Sequence, residues 1–168
     1  MFDTVFGLPT HALVVHAVVV LLPLAAIGGL AVVALPRVRD RFGGLVALLA
    51  VAVVPAVFVA TQSGEKLEVR VSATFGPGAA SAREAELMEA HTSIGENLLP
   101  WAVVLAVGLV GVLVLARTTR RQDRPGWVRP GGWVASAVVA LGALLSLYWV
   151  IRIGDAGARA AWSDVAAN

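Results

Sequence analysis

The stretch Ala12-Leu13-Val14-Val15-His16-Ala17-Val18-Val19-Val20-Leu21-Leu22-Pro23-Leu24-Ala25-Ala26-Ile27-Gly28-Gly29-Leu30-Ala31-Val32-Val33-Ala34-Leu35 decides the fold of this chain. It holds no Asp, Glu, Lys or Arg, and His16 is its only strongly polar side chain. A helix rises about 1.5 Å per residue, so roughly 20 apolar residues cross the ~30 Å of bilayer hydrocarbon. This run is long enough to do so. Three further runs meet the same criterion: Gly44–Thr61, Leu98–Ala116 and Trp133–Ile153. The reading is an all-α fold, a bundle of four transmembrane helices over about 12–35, 44–61, 98–116 and 133–153, in one membrane domain spanning 1–168.

Composition agrees. The chain has 168 residues, 58% hydrophobic and only 14% charged, with a mean hydropathy of +0.83. Soluble domains run at about 45–50% apolar and roughly 25% charged. The opening Met1-Phe2-Asp3-Thr4 has no basic residue before the apolar run, so the first helix is expected to be retained and not cleaved as a leader. There is no cysteine. That removes disulfides, thiolate metal sites, iron–sulfur clusters and covalent haem attachment.

The arginines set the expected orientation. Arg37, Arg39 and Arg41 lie between the first two runs, and Arg117, Arg120, Arg121, Arg124 and Arg129 between the last two. The middle segment 62–90 has Lys66, Arg70 and Arg83 outnumbered by Glu65, Glu68, Glu84, Glu86 and Glu89. The positive-inside rule therefore places the two basic loops in the cytoplasm. The middle segment and both termini then face outward, giving two helical hairpins joined outside the membrane. The basic loops are accounted for by topology, so no nucleic-acid partner is expected; the partner is the lipid bilayer.

Local signals refine this plan. Pro36 is expected to end the first helix, and Gly43-Gly44 to begin the second. Arg124-Pro125-Gly126 through Pro130-Gly131-Gly132 reads as a turn-rich loop, with Trp127 and Trp133 as interface anchors. Pro23, Pro55 and Pro100 fall inside apolar helices, which membrane proteins tolerate. Glu65–Val71 can continue the second helix, and Phe75-Gly76-Pro77-Gly78 is a turn. Ser81 with Glu84 resembles a capping box that starts a helix running unbroken into the third span. On that helix His91 shares a face with Leu87, Met88, Ile94 and Leu98. Gly28-Gly29, Gly108 with Gly111, and Gly142 with Ala143 are small residues suited to close helix approach.

The three histidines, His11, His16 and His91, are the main chemical clue. Each lies near the outer end of a span. Five residues along a helix is roughly 140° of rotation, so His11 and His16 look toward different neighbours. A pair drawn from two helices is the better chelator. One reading takes a first-helix histidine and His91 as axial ligands of a b-type haem for electron transfer, with Arg152 and Arg159 meeting its propionates. A second takes His11, His16, His91 and Glu96 as Zn or Cu ligands. A third uses His16 and Glu96 as a proton relay. The fourth is a structural or assembly subunit with no cofactor. Glu65, Lys66, Glu68 and Arg70 read as a solvated helix surface, and Asp155 with Arg159 as an i, i+4 ion pair. No Ser/His/Asp set, phosphate loop or nucleotide fingerprint is present, so an enzyme in its own right is the less favoured expectation.

These residues bring a family into view. Leu8-Pro9-Thr10-His11-Ala12-Leu13-Val14-Val15-His16 resembles the opening of the bacterial membrane proteins catalogued as domain of unknown function 2231. They open with a Pro-x-His run and a second histidine five positions on. Gln62-Ser63-Gly64-Glu65, His91-Thr92-Ser93-Ile94-Gly95-Glu96 and Gly154-Asp155-Ala156-Gly157-Ala158-Arg159-Ala160-Ala161-Trp162 are similar to later motifs of that family. The resemblance covers nearly the whole chain and implies a four-helix protein of the bacterial cytoplasmic membrane. Some relatives look like partners of cytochrome or redox modules, which implies a redox protein or membrane complex as partner. Ala17 stands where the family leads one to expect an aromatic residue.

Overall fold

Inside hydrocarbon a backbone must satisfy its own hydrogen bonds, and each of the four apolar runs does so as an α-helix. The computed structural model describes residues 4–5, 8–75, 93–119 and 125–162. Helices α1 (Thr10–Ala34), α2 (Pro36–Phe75), α3 (Leu98–Thr119) and α4 (Val128–Trp162) make up the fold. Ahead of them, β1 (Thr4–Val5) pairs antiparallel with β2 (Leu8–Pro9). All four helices are long and apolar enough to cross a membrane.

Several boundaries differ from the sequence reading. α1 ends at Ala34, just ahead of Pro36 as expected, but Pro36 also begins the next helix, well before Gly43-Gly44. Only Leu35 separates α1 from α2, and its carbonyl accepts from Val38 N–H at 3.0 Å and Arg39 N–H at 3.1 Å. Proline is well suited to a first helical position, because the N–H it lacks would have no partner there and its φ is already helical. Arg37, Arg39 and Arg41 thus ride on the first turns of α2, not on a loop. Likewise α4 starts at Val128 rather than Trp133, with Val128 N–H donating to Pro125 O at 3.1 Å. Pro130 falls in its first turn, where a missing donor costs little.

The continuation of α2 past the membrane is present, through Phe75. The expected unbroken entry into the third span is not. Ser93–Gly95 is helical, but Glu96-Asn97 forms a turn before α3. Asn97 Nδ2 donates to Ser93 O at 3.3 Å and its backbone N–H to Ile94 O at 3.2 Å. An asparagine that bonds nearby backbone in this way competes with helix continuation. Residues 76–78 of the expected turn, the Ser81–Glu84 cap and His91 all lie outside the described residues.

The helices pack as a ring in chain order. α1 lies on α2 and α4, α3 on α4 and α2, while α1 and α3 face each other diagonally with little contact. Leu22, Val53, Leu105, Leu109 and Val139 are fully buried at the centre. Small residues set how closely the helices approach. A Cβ on Gly108 would lie 3.1 Å from Val139 N, and one on Gly142 would lie 2.7 Å from Leu105 N. The α3–α4 seam is therefore backbone against backbone, as small residues permit in membrane helices. The outer surface carries Val20, Leu45, Val107 and Ile151, all well exposed. Apolar residues outside and inside alike mark a bundle solvated by lipid. Ser146 is fully buried, and its Oγ has no hydrogen-bond partner among the described residues.

This alternation gathers like ends together. One end holds His11 of α1, Gly64 of α2, Leu98 of α3 and Ile153 of α4. The other holds Val33 of α1, Arg39 of α2, Thr119 of α3 and Arg129 of α4. The histidine end and the arginine end are thus at opposite faces of the bundle.

Candidate functional site

His11 is the second residue of α1, and its ring crosses to α2. Nδ1 lies 3.0 Å from Ala60 O and 3.3 Å from Ser63 Oγ. The Ser63 hydroxyl donates to the same carbonyl at 3.1 Å. A carbonyl only accepts, so this contact assigns the proton of the neutral imidazole to Nδ1. Nε2 then carries the free lone pair. The seat exists because residue 64 has no side chain. A Cβ there would sit 3.0 Å from His11 Cε1 and 3.3 Å from Nδ1.

The ring borders a cleft of about 80 Å³ shared by all four helices, lined among others by Val15, Val57, Leu98, Val150 and Ile153. Its walls are almost wholly apolar. Gly95, from the short helical turn ahead of α3, completes the lining.

The other candidate residues are spread around this centre. His16 is exposed on the outward face of α1 with Leu13 and Val20, and it makes an interaction of its own. It does not join His11 in the cleft. Glu96 is exposed in the turn next to Gly95. Arg152 lies with its guanidinium 5.9 Å from the centre of the Tyr148 ring. Arg159 is bound to Asp155 at 3.0 Å, with side chains 71% and 56% exposed. Such an exposed i, i+4 pair contributes little to stability. Neither arginine lines the cleft. Among the described residues no three His, Cys, Asp or Glu side chains converge as a metal cluster.

Of the residues read as haem ligands or propionate partners, His11 borders the described cleft, and His91 lies outside the described residues.

The family described as Predicted membrane protein (DUF2231) matches residues 7–168. The chain belongs to this family. No curated protein and no solved structure matches it. The DUF2231 match takes in the whole His11 seat as well as all four helices. In this DUF2231 chain the Gln62-Ser63-Gly64-Glu65 motif has a physical role: Ser63 and Gly64 hold and make space for the His11 ring. Sequence reasoning noted that motif but not its task, nor the part of the Ala60 carbonyl. The available signal was a glycine beside a serine at the end of an apolar run.

Proposed function

We propose that this multi-pass DUF2231 protein binds a transition-metal ion at its histidine end, with His11 Nε2 as a ligand. The observation that supports this is the bond between His11 Nδ1–H and Ala60 O. Metal-bound histidines nearly always donate their other ring N–H to a carbonyl, carboxylate or water, which fixes the tautomer and raises ligand basicity. His91 is the natural second ligand. It stands four positions before Gly95, which lines the cleft beside His11. Imidazole donors suit Zn and Cu, and Glu96 can add an oxygen. When bound, the ion supplies Lewis acidity, or redox chemistry if it is copper. The protein's part is to hold Nε2 in one orientation and to shield it with valine and leucine side chains.

The test uses full-length protein in detergent, stripped by a chelator and dialysed against zinc or copper. Native protein is expected to retain stoichiometric metal, His11→Ala to lose it, and His16→Ala to match native protein. Metal-free native protein, or retention by a folded His11→Ala variant, overturns the reading. So does a Soret band from haem-replete cells, which would return the haem reading. Normal association with a larger complex when all three histidines are replaced, with no metal in the native chain, would point to a structural subunit.

In the same proposal the membrane is the bacterial cytoplasmic membrane, with the arginine end inside. Among the described residues Arg37, Arg39, Arg41, Arg117 and Arg129 stand at that end against Asp40, which the positive-inside rule assigns to the cytoplasm. The chain has no cysteine, so a single Asn97→Cys reports the side directly. A membrane-impermeant maleimide added to intact cells is expected to label it, while Thr118→Cys at the other end stays unlabelled until the cells are opened. The reverse pattern inverts the topology.

A further inference from the structure

The arginine end holds a second and larger cleft, of about 530 Å³, between the start of α2, the end of α3 and the start of α4. This volume falls within the range of small-ligand sites. Its lining combines apolar Val33, Val112, Leu115 and Val128 with Arg39 and Arg129. The Arg39 Nε is shut off from solvent and has no hydrogen-bond partner among the described residues. A buried guanidinium N–H without an acceptor is costly, and a bound ion or ligand is one of the ways such a group is completed.

The hydroxyls of the lining are already used. Thr119 Oγ1 donates to Ala116 O at 2.7 Å and Ser136 Oγ to Gly132 O at 2.8 Å. Asp40, the only carboxylate of the lining among the described residues, makes an interaction of its own. Arg39 Nε is thus left without an acceptor among the described residues, and Arg129 stands in the same lining. Their planar forks match the oxygens of a phosphate.

We infer that this cleft binds the phosphate of an anionic phospholipid, with the glycerol and upper acyl chain against its apolar lining residues. A lipid, and not free phosphate, is indicated by the apolar half of the lining and by location at the end of the spans. Trp133, at the rim and 78% exposed, lies where headgroups meet hydrocarbon. Basic pockets between membrane helices are suited to such headgroups.

The inference is tested by the melting temperature of full-length protein in neutral detergent, titrated with phosphatidylglycerol, phosphatidylcholine or inorganic phosphate. A ligand that binds only the folded state raises that temperature in a saturable way. Phosphatidylglycerol is expected to do so, and the other two are not. Arg129→Gln should weaken the apparent affinity roughly fivefold, and Arg39→Gln by at least as much. Arg41→Gln, whose guanidinium lies 5.4 Å from the centre of the Phe42 ring, should change it less than twofold. Arg129 is exposed, so its variant folds and decides the matter even if Arg39→Gln does not. Equal shifts from the two lipids overturn the inference, as does the full shift with inorganic phosphate alone. Unchanged phosphatidylglycerol affinity in Arg129→Gln overturns it too.

Discussion

Gly142→Val is expected to leave no folded four-helix bundle. A Cβ at position 142 would meet Leu105 N at 2.7 Å and Leu105 Cα at 2.9 Å. Both atoms belong to the backbone of α3, so no side chain can rotate away and the whole helix must move. Gly29 and Gly108 depend on the same spacing, since a Cβ on Gly29 would be 3.2 Å from Leu105 Cδ1 and 3.3 Å from Val139 Cγ1. Pushing α3 from α4 therefore loosens the centre of the bundle too. Even Gly142→Ala should cost about 1–3 kcal/mol, as overpacking does elsewhere. Valine adds two methyl groups at the same contact and should exceed the stability of a marginal protein. Gly44→Ala is the control, because nothing lies within 4 Å of its added carbon. It should be neutral or gain up to about 1 kcal/mol of helix propensity. Size-exclusion profiles and thermal melts by circular dichroism read all three variants; a monodisperse, native-like Gly142→Val protein would refute the packing account.

The second large effect is expected at the histidine end of the bundle, and on binding rather than folding. Gly64→Val should unseat His11 while leaving the bundle intact. The added Cβ would press on Cε1 and Nδ1 of the ring at 3.0 and 3.3 Å. The ring, being a side chain, can swing out and give up its bond to Ala60 O. That frees the tautomer and scatters the direction of Nε2. Loss of such a supporting contact typically costs 10–100-fold in metal affinity, so a drop of about that size is expected with little change in melting temperature. If zinc affinity stays at the native level, the seat does not orient the ligand.

The sequence and the structure agree best where the physics is one-dimensional. Four spans were legible because hydrocarbon imposes length and apolarity on every residue of a helix. Boundaries were less so, because proline carries two meanings. Pro36 fits the end of one helix and the first turn of the next, and only the spacing of the following turns decides between them. Arg129-Pro130-Gly131-Gly132 reads as a turn for the same reason, yet becomes the first turn and a half of α4. The break at Glu96-Asn97 depends on one asparagine side chain choosing local carbonyls over solvent.

The site was legible in part. Helix rotation alone separated His11 from His16, and the structure turns them to different surroundings. What could not be read is the partner of His11. Ala60 and Gly64 are about fifty residues away, and which carbonyl faces the ring depends on the register of the α1–α2 hairpin. The cleft beside His11 is a property of four packed helices together and of no single segment. The arginines were visible as a topology signal; that two of them flank a cleft, one with a buried N–H lacking an acceptor, required the packing of α2, α3 and α4.

The most direct test of a metal held by His11 is zinc-edge X-ray absorption on the loaded, full-length protein. The proposal predicts nitrogen at about 2.0–2.1 Å with the outer-shell pattern of imidazole, reduced by one ring in His11→Ala and unaltered in His16→Ala. A first shell of oxygen alone, or a spectrum that His11→Ala leaves unchanged, would contradict it.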